Sequence, residues 1–528
     1  MPISLQRVES PTPGQSTPAP LAFQWLDRVS ESLAASVGRR PMWFLIGLSA
    51  LYLIGTSALA SSRLFWFDEI LTYHIARMPT IASLLATLRA GLDLNPPFYF
   101  VVTHFTRSLF GESELAMRIP VLIGFWVMCL CLFRFVSRGC TPLYGLVALL
   151  LPVATTAYNY AFEARPYGLV LGLCGVALVC WQSYARDNSR LGLAMMWLCM
   201  TAAISSHYYA VMALLPLAAG EMVRITAQRK PDFKVLGALA LSGIPILFLL
   251  PQLRMARTFA AAFWSKPSIL SFLTFYDFLM GHGQFFLVIA LVLAAIMSMT
   301  RARGPEAEPP RHAPTLAESV VAIGFVLLPY IAISFAAVAG SGFAPRYALP
   351  SVIGVATLLP MAVYTASRGR LAIGAALAIV FFLAFSAREI SASRRFFHPP
   401  ERLKAYNFLS DNTNDLPIVI VNPLEFLKVA HYGSDEWKRR AAYVVDLSDS
   451  VRYGDSDTAD RALMRLRTVT PLNVFDYADF VRAHPRFLVF GAYSWEIRYL
   501  SDHAADIRVV GKYDKDLLFE VRRQPDTR

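Results

Sequence analysis

The feature that most constrains this chain is a series of long apolar runs between residues 41 and 387, separated by short links rich in Lys and Arg. An α-helix needs about 20 consecutive apolar residues to cross the hydrocarbon core of a bilayer. Segments of that kind are predicted near residues 41–60, 119–136, 142–157, 167–184, 190–206, 208–223, 235–251, 284–300, 317–338, 349–365 and 371–387. Only 16% of the 528 residues are charged, against about 25% in a soluble globular domain. The expected class is therefore a polytopic α-helical membrane protein with about eleven transmembrane helices.

Composition changes at both ends of that region. Residues 1–40 read as a cytoplasmic tail: the first 20, with Pro11, Pro13, Pro18 and Pro20, are expected to be disordered, and Leu21 to Val37 suits a short interfacial helix. No signal peptide is expected, because the first long run, Pro41 to Ala60, follows Arg39 and Arg40 and is long enough to span. Residues 388–528 have soluble composition and read as a separate domain.

Charge sets the expected sidedness. With the N-terminus cytoplasmic, the inner links carry Arg134 and Arg138, Arg186 and Arg190, Arg224 with Arg229, Lys230 and Lys234, Arg301 with Arg303 and Arg311, and Arg368 with Arg370. Every inner link is then basic, as the positive-inside rule requires. An odd number of spans puts the loop Ser61–Arg118 and the C-terminal domain outside. The fifth and sixth spans meet tightly at Ser205-Ser206-His207 and could be re-entrant, which would leave this sidedness unchanged. The net charge of +12 sits largely in the links, so nucleic acid is not an expected partner, whereas membrane lipids are. All six cysteines lie in or beside predicted helices, with no disulfide or zinc spacing.

The predicted outer links carry acids, histidines and aromatics. Trp66-Phe67-Asp68-Glu69 follows the first span on what reads as a short helix running to Arg77. Adjacent helical residues point about 100° apart, so one carboxylate faces a site and the other stands behind it. The plainer reading is an acidic first turn that stabilises the helix dipole. Asn95-Pro96-Pro97-Phe98-Tyr99 reads as a loop-to-helix junction, by itself more often architecture than chemistry. Arg118 could hold a lipid phosphate or snorkel to the interface. In Tyr160-Ala161-Phe162-Glu163-Ala164-Arg165-Pro166-Tyr167, Glu163 and Arg165 at membrane depth form either a structural ion pair or a site. His207, Tyr208 and Tyr209 suit an aromatic belt, and Lys266 and Arg346-Tyr347 add cations on the same side.

In order and spacing these segments resemble bacterial membrane glycosyltransferases of the GT-C fold, the group of protein O-mannosyltransferases, lipid A aminoarabinose transferase and lipopolysaccharide-core galacturonosyltransferases. The residues that carry the resemblance are Asp68-Glu69, Asn95-Pro96-Pro97-Phe98-Tyr99, Gly111-Glu112-Ser113-Glu114-Leu115-Ala116-Met117-Arg118-Ile119-Pro120, Glu163-Ala164-Arg165-Pro166-Tyr167 and Arg346-Tyr347-Ala348-Leu349-Pro350. It spans residues 41 to about 387. The resemblance implies a polyprenyl phosphate monosaccharide as donor, a cell-envelope lipid, glycan or protein as acceptor, and a catalytic carboxylate in the first outer loop, Asp68 first with Glu69 beside it. Arg118, Arg165, Arg346 and Lys266 are the candidate cations for the leaving phosphate. Glu163, Tyr167, His207, Tyr208 and Tyr347 complete the candidate substrate site. One base opposite one phosphate implies inversion. No cofactor is certain, and a divalent metal on Asp68 with Glu163 or His207 stays open. No Gly-rich phosphate loop followed by Lys occurs, which fits a lipid donor better than a nucleotide sugar.

In the C-terminal domain, residues 416–422, 441–446, 487–491 and 517–521 read as buried strands, with helices near 457–467 and 476–484, giving a small α/β domain over the active-site face. His431-Tyr432-Gly433-Ser434-Asp435-Glu436-Trp437 reads as a surface loop. Two other functions share much of this pattern: a transporter or flippase of lipid-linked sugars, and a non-catalytic envelope-assembly subunit. Polar residues gathered at one face, and no inverted repeat, count against the transporter.

Overall fold

The structure, a computed structural model, describes residues 21–229, 231–259, 263–299, 313–397, 408–409, 415–454, 456–492, 495–502 and 506–522. The tail 1–20 and the basic residues Lys230, Arg301, Arg303 and Arg311 lie outside these.

Each predicted apolar segment falls on helix. In chain order the first elements are α1 (Leu21–Arg39), α2 (Pro41–Ser62), α3 (Phe67–Ala76), α4 (Ile81–Arg89), α5 (Phe98–Phe110), α6 (Glu114–Gly139), α7 (Pro142–Ala154), α8 (Tyr167–Asp187), α9 (Arg190–Ile204) and α10 (Leu214–Gln228). Among the described residues 6 helices are long and apolar enough to cross a membrane, or up to 8 if two bent pairs each count as one span. The stretches at Pro142–Ala154, Arg190–Ile204 and Ser351–Ala366 are shorter apolar helices. The bends, 62° between Lys234–Phe248 and Leu250–Arg257 and 78° between Ile269–Met280 and Gly283–Met297, coincide with Pro251 and with Gly281 at φ +45°, residues that interrupt a helical ladder or leave its φ region.

α6 and α8 cross at glycine. A Cβ on Gly124 would lie 2.5 Å from the Gly168 carbonyl oxygen, and one on Gly172 2.5 Å from that of Gly124. Small residues let helix backbones approach and gain dispersion contacts where lipid offers no hydrophobic drive. This crossing fixes the start of α6, which carries Arg118, against the start of α8, which follows Arg165.

The C-terminal domain is a six-stranded sheet of order β3-β2-β1-β4-β6-β5, from β1 (Ile418–Ile420), β2 (Ala441–Val445), β3 (Val474–Asp476), β4 (Arg486–Gly491), β5 (Asp506–Tyr513) and β6 (Asp516–Arg522). β1 to β4 pair in parallel, and β6 joins β4 and β5 antiparallel. Strand side chains alternate between faces: Ile418, Ile420, Tyr443, Leu488 and Phe490 pack into one core, and Val419, Ala442, Val444, Phe487 and Val489 into another. The first of these cores also contains Phe65, Ile70, Leu71, Leu84, Leu88, Tyr99 and Phe100 from the loop between α2 and α6. Loop and sheet domain therefore share one apolar interior. The segment 431–437, read from sequence as a surface loop, instead spans the end of helix Pro423–Tyr432 and the start of helix Asp435–Arg440. The Tyr432 hydroxyl accepts from Phe65 N and donates to Glu114 Oε1, each at 2.9 Å. Ser434, Asp435 and Glu436 are exposed, whereas His431 packs against Phe65 and Tyr73 and Trp437 is buried in the shared core.

Candidate active site

The site sits where α2 ends and α3, α6 and α8 begin. α3 opens at Trp66, whose N–H donates to Glu69 Oε2 at 3.2 Å, so the second carboxylate caps its own helix. That carboxylate is 2% exposed and takes Arg118 on both oxygens at 2.7 Å, with a third bond from Ala164 N at 2.6 Å. Arg118 spends its remaining donors on Ala60 O, Arg63 O and Leu64 O at 2.7, 2.8 and 3.4 Å. Arg118 thus neither snorkels nor presents a free guanidinium to a phosphate. Its chain is 1% exposed and works as an anchor between α6, the end of α2 and α3. Glu69 correspondingly stands behind the site.

Asp68, one residue earlier on α3, points the other way. Its side chain is 19% exposed; Oδ2 lies 3.4 Å from Arg346 NH2 and 3.8 Å from Arg165 Nε, and among the described residues Oδ1 takes no hydrogen bond. Arg165 is held from behind by Asp93, whose Oδ2 meets its NH1 at 2.5 Å. Asp93 is in turn oriented by Asn95, which donates N and Nδ2 to its Oδ1 at 2.9 Å each. Asn95 O accepts from Gln252 Nε2 at 2.7 Å, and the N–H of Phe98, just past Pro96 and Pro97, donates to Ser205 O at 2.9 Å. The Asn-Pro-Pro junction is therefore architecture that aims Asp93.

Arg346 lies on a short turn, Pro345–Ala348, inside an aromatic collar: its guanidinium carbon is 5.5 Å from the Trp66 ring centroid, 5.9 Å from Tyr167 and 5.2 Å from Trp264, a cation–π arrangement that strengthens when desolvated. His207 is buried among Tyr167, Tyr209 and Tyr347, with centroids 5.0–6.0 Å away. Burial, reinforced by Arg165 and Arg346, pushes its pKa down to about 3, so the imidazole is neutral. The Tyr208 hydroxyl is buried without a hydrogen-bond partner among the described residues. Lys266 is exposed, next to Ser265, whose carbonyl accepts from Phe343 N at 3.1 Å and whose Oγ donates to Phe343 O at 2.6 Å.

Three buried N–H groups around Asp68, those of Trp66 Nε1, Arg165 Nε and Arg346 Nε, have no hydrogen-bond partner among the described residues. Buried donors are nearly always satisfied in native proteins, so a cluster of three beside a partly exposed carboxylate is ready for an anionic ligand. The structure brings Asp68, Glu163, Arg165, Tyr167, His207, Arg346 and Tyr347 together. It adds Asp93, which sequence reasoning passed over, and gives Trp66 and Trp264, which the sequence offered only as parts of outer links, a place around Arg346. Among the described residues no group of three or more His, Cys, Asp or Glu could hold a metal ion.

No family model matches the chain, and no curated protein matches it in sequence. Solved structures do. ArnT from Cupriavidus metallidurans in the apo state superposes with a TM-score of 0.52 at 14% identity, over 90% of this chain and 97% of that one. The same protein bound to undecaprenyl phosphate gives 0.51 at 14% identity, over 90% and 98%. At that identity the likeness is one of architecture, and it extends across the helical region and the C-terminal sheet domain alike: the chain is a multi-pass membrane protein with the GT-C fold.

Proposed function

We propose that this protein is a glycosyltransferase that moves a monosaccharide from a polyprenyl phosphate donor onto a cell-envelope acceptor, with Asp68 as the base. The observation that carries the reading is the pairing of a partly exposed carboxylate with unspent Trp66, Arg165 and Arg346 donors at one end of the helical bundle. A general base must come within about 2.6–3.2 Å of the hydroxyl it deprotonates, and among the described residues Asp68 Oδ1 has no partner to displace. As the acceptor oxygen attacks the anomeric carbon, the bond to phosphate breaks with its electron pair. The charge gathered there is met by fixed guanidinium and indole N–H groups that need no reorganisation. Base and leaving group on opposite faces of the sugar give inversion. The donor class is carried over from the ArnT structure that holds undecaprenyl phosphate.

Helix direction supports an extracytoplasmic site. α6 runs from Arg118 at the site to Arg138 at its far end, and α8 from beside Arg165 to Arg186. The basic links thus gather at the end opposite Asp68, as expected for the cytoplasmic side of a bacterial inner membrane. The C-terminal domain then lies in the periplasm and covers the loop that bears Asp68.

The test is purified protein in detergent with a panel of polyprenyl phosphate sugars and an envelope lipid extract as acceptor. Acceptor-dependent release of polyprenyl phosphate is expected. Turnover of nucleotide sugars alone, or movement of lipid-linked sugar across vesicles without chemistry, overturns the reading in favour of another transferase or a flippase.

A further inference from the structure

We propose that Glu163 works as a protonated carboxylic acid, donating its O–H to a phosphate oxygen of the bound donor. The inference rests on the glycosyltransferase reading of the site. Four carboxyls and three guanidiniums meet here. Glu69 is matched by Arg118, Asp93 by Arg165, and Asp68 by Arg346 with Arg165 at longer range. Glu163 has no ion pair and no side-chain hydrogen bond among the described residues, and its Oε1 is buried without a partner.

The backbone that carries Glu163 is fixed on both sides. The next residue's N–H is tied to Glu69 Oε1 at 2.6 Å, and Arg165 N donates to Glu163 O at 2.6 Å. Facing it are Asp68 and Glu69 from α3, Tyr99 from α5, Tyr160, Arg165 and Tyr167 from its own loop and the start of α8, and Arg346 from its turn. Glu163 is half-buried with Oε1 enclosed, and a carboxylate with an enclosed oxygen and no paired cation among the described residues is costly, which favours the protonated form. Burial first, then Glu69, pushes the Glu163 pKa up to about 8; Asp68 adds to the rise, and Arg346 and Arg165 offset part of it.

A fourth negative charge would repel an incoming phosphate, whereas a carboxylic acid beside the Arg346 and Arg165 donors binds one through a short O–H···O⁻ bond. During transfer the acceptor proton goes to Asp68 and the electron pair of the broken C–O bond to the phosphate. The Glu163 proton stays on Glu163, hydrogen-bonded to that phosphate. Glu163 therefore contributes in one protonation state only, which sets an alkaline limit on the reaction.

The experiment has two readouts. Difference infrared spectroscopy on the purified full chain should show a protonated-carboxyl stretch that disappears on titration with a midpoint near the pKa of about 8. That band should be missing in Glu163→Gln and should shift when undecaprenyl phosphate, without sugar, is added. In turnover assays Glu163→Ala should lose about 10- to 100-fold in kcat/KM, the cost of a hydrogen bond to a charged group. Glu163→Gln, which keeps a donor, should lose much less and should not share the wild-type fall in rate at alkaline pH. Absence of the band, a band unmoved by undecaprenyl phosphate, or Glu163→Gln as impaired as Glu163→Ala overturns the proposal. The infrared readings need no sugar transfer, so they decide the proton on Glu163 even if the panel of donors shows no turnover.

Discussion

Arg118 and Glu69 form a two-pronged ion pair in which Nε meets Oε1 and NH2 meets Oε2 at 2.7 Å, with the two side chains 1% and 2% exposed. A pair so buried contributes little net stability while intact, yet removing one partner strands a charge and costs about 3–5 kcal/mol. Arg118→Ala is therefore expected to lower the melting temperature sharply. Replacing both partners, Arg118→Met with Glu69→Leu, should recover much of the loss. A stable Arg118→Ala that binds undecaprenyl phosphate poorly would instead make Arg118 a ligand contact.

Asp68 differs from its neighbour in having little structural work to lose. Its carboxylate bonds at 3.4 Å to Arg346 and is partly open to solvent, so Asp68→Asn should melt close to wild type. Loss of a general base is expected to slow transfer about 100- to 10,000-fold, with undecaprenyl phosphate binding retained. Normal turnover in Asp68→Asn would remove the base from the mechanism.

The contrast between these two neighbours marks what the sequence could reveal. Period and apolarity were enough to place helix at each long apolar run, though not at the shorter Ile81–Arg89 and Ile269–Met280, and adjacency in a helix was enough to say that Asp68 and Glu69 face different ways. Nothing in the sequence distinguishes a guanidinium that binds phosphate from one that spends itself on Ala60 and Arg63 carbonyls, since those partners converge only in space. Asp93 sits in Gly91-Leu92-Asp93-Leu94, where no spacing signals chemistry. β3 and β5 were missed for a different reason. The first is three residues long, and the second, at the sheet edge, is largely exposed and its alternation breaks at a register shift between Val509 and Gly511.

Asp93 gives a prediction of its own. It touches no proposed reacting atom and acts through Arg165, which it holds at 2.5 Å while Asn95 fixes its other oxygen. Asp93→Asn keeps the shape and loses the charge that fixes the guanidinium. A displaced group near the chemistry costs on the order of 100-fold, so kcat should fall by about that factor with a smaller change in KM. Asp93→Glu, which restores charge at a different reach, should recover part of it. Equal losses in both variants, with matching losses of folded protein, would reduce Asp93 to a structural role.

The docking of the sheet domain on the outer loop should depend on acid. His74 on α3 and His431 on helix Pro423–Tyr432 face each other with centroids 6.2 Å apart, and Tyr73 lies 4.8 Å from His431. Arg77, Glu112, Glu114, Lys438 and Tyr432 surround the pair. Burial first lowers both pKa values from 6.5 to about 4; the other imidazole adds to this at His74, Lys438 at His431 and Arg77 at both, while Glu114 at His431 and Glu112 at both offset part of it. The docked state therefore binds fewer protons than a separated or unfolded one wherever the free imidazoles titrate. The stability this contact contributes is fully present above pH 6.5 and is lost as the pH falls through that window toward 4. Hydrogen exchange in α3 should rise across it, and His74→Phe with His431→Phe should flatten the dependence. Exchange in α3 that stays unchanged from pH 7 to 4 would show that the interface does not sense these histidines.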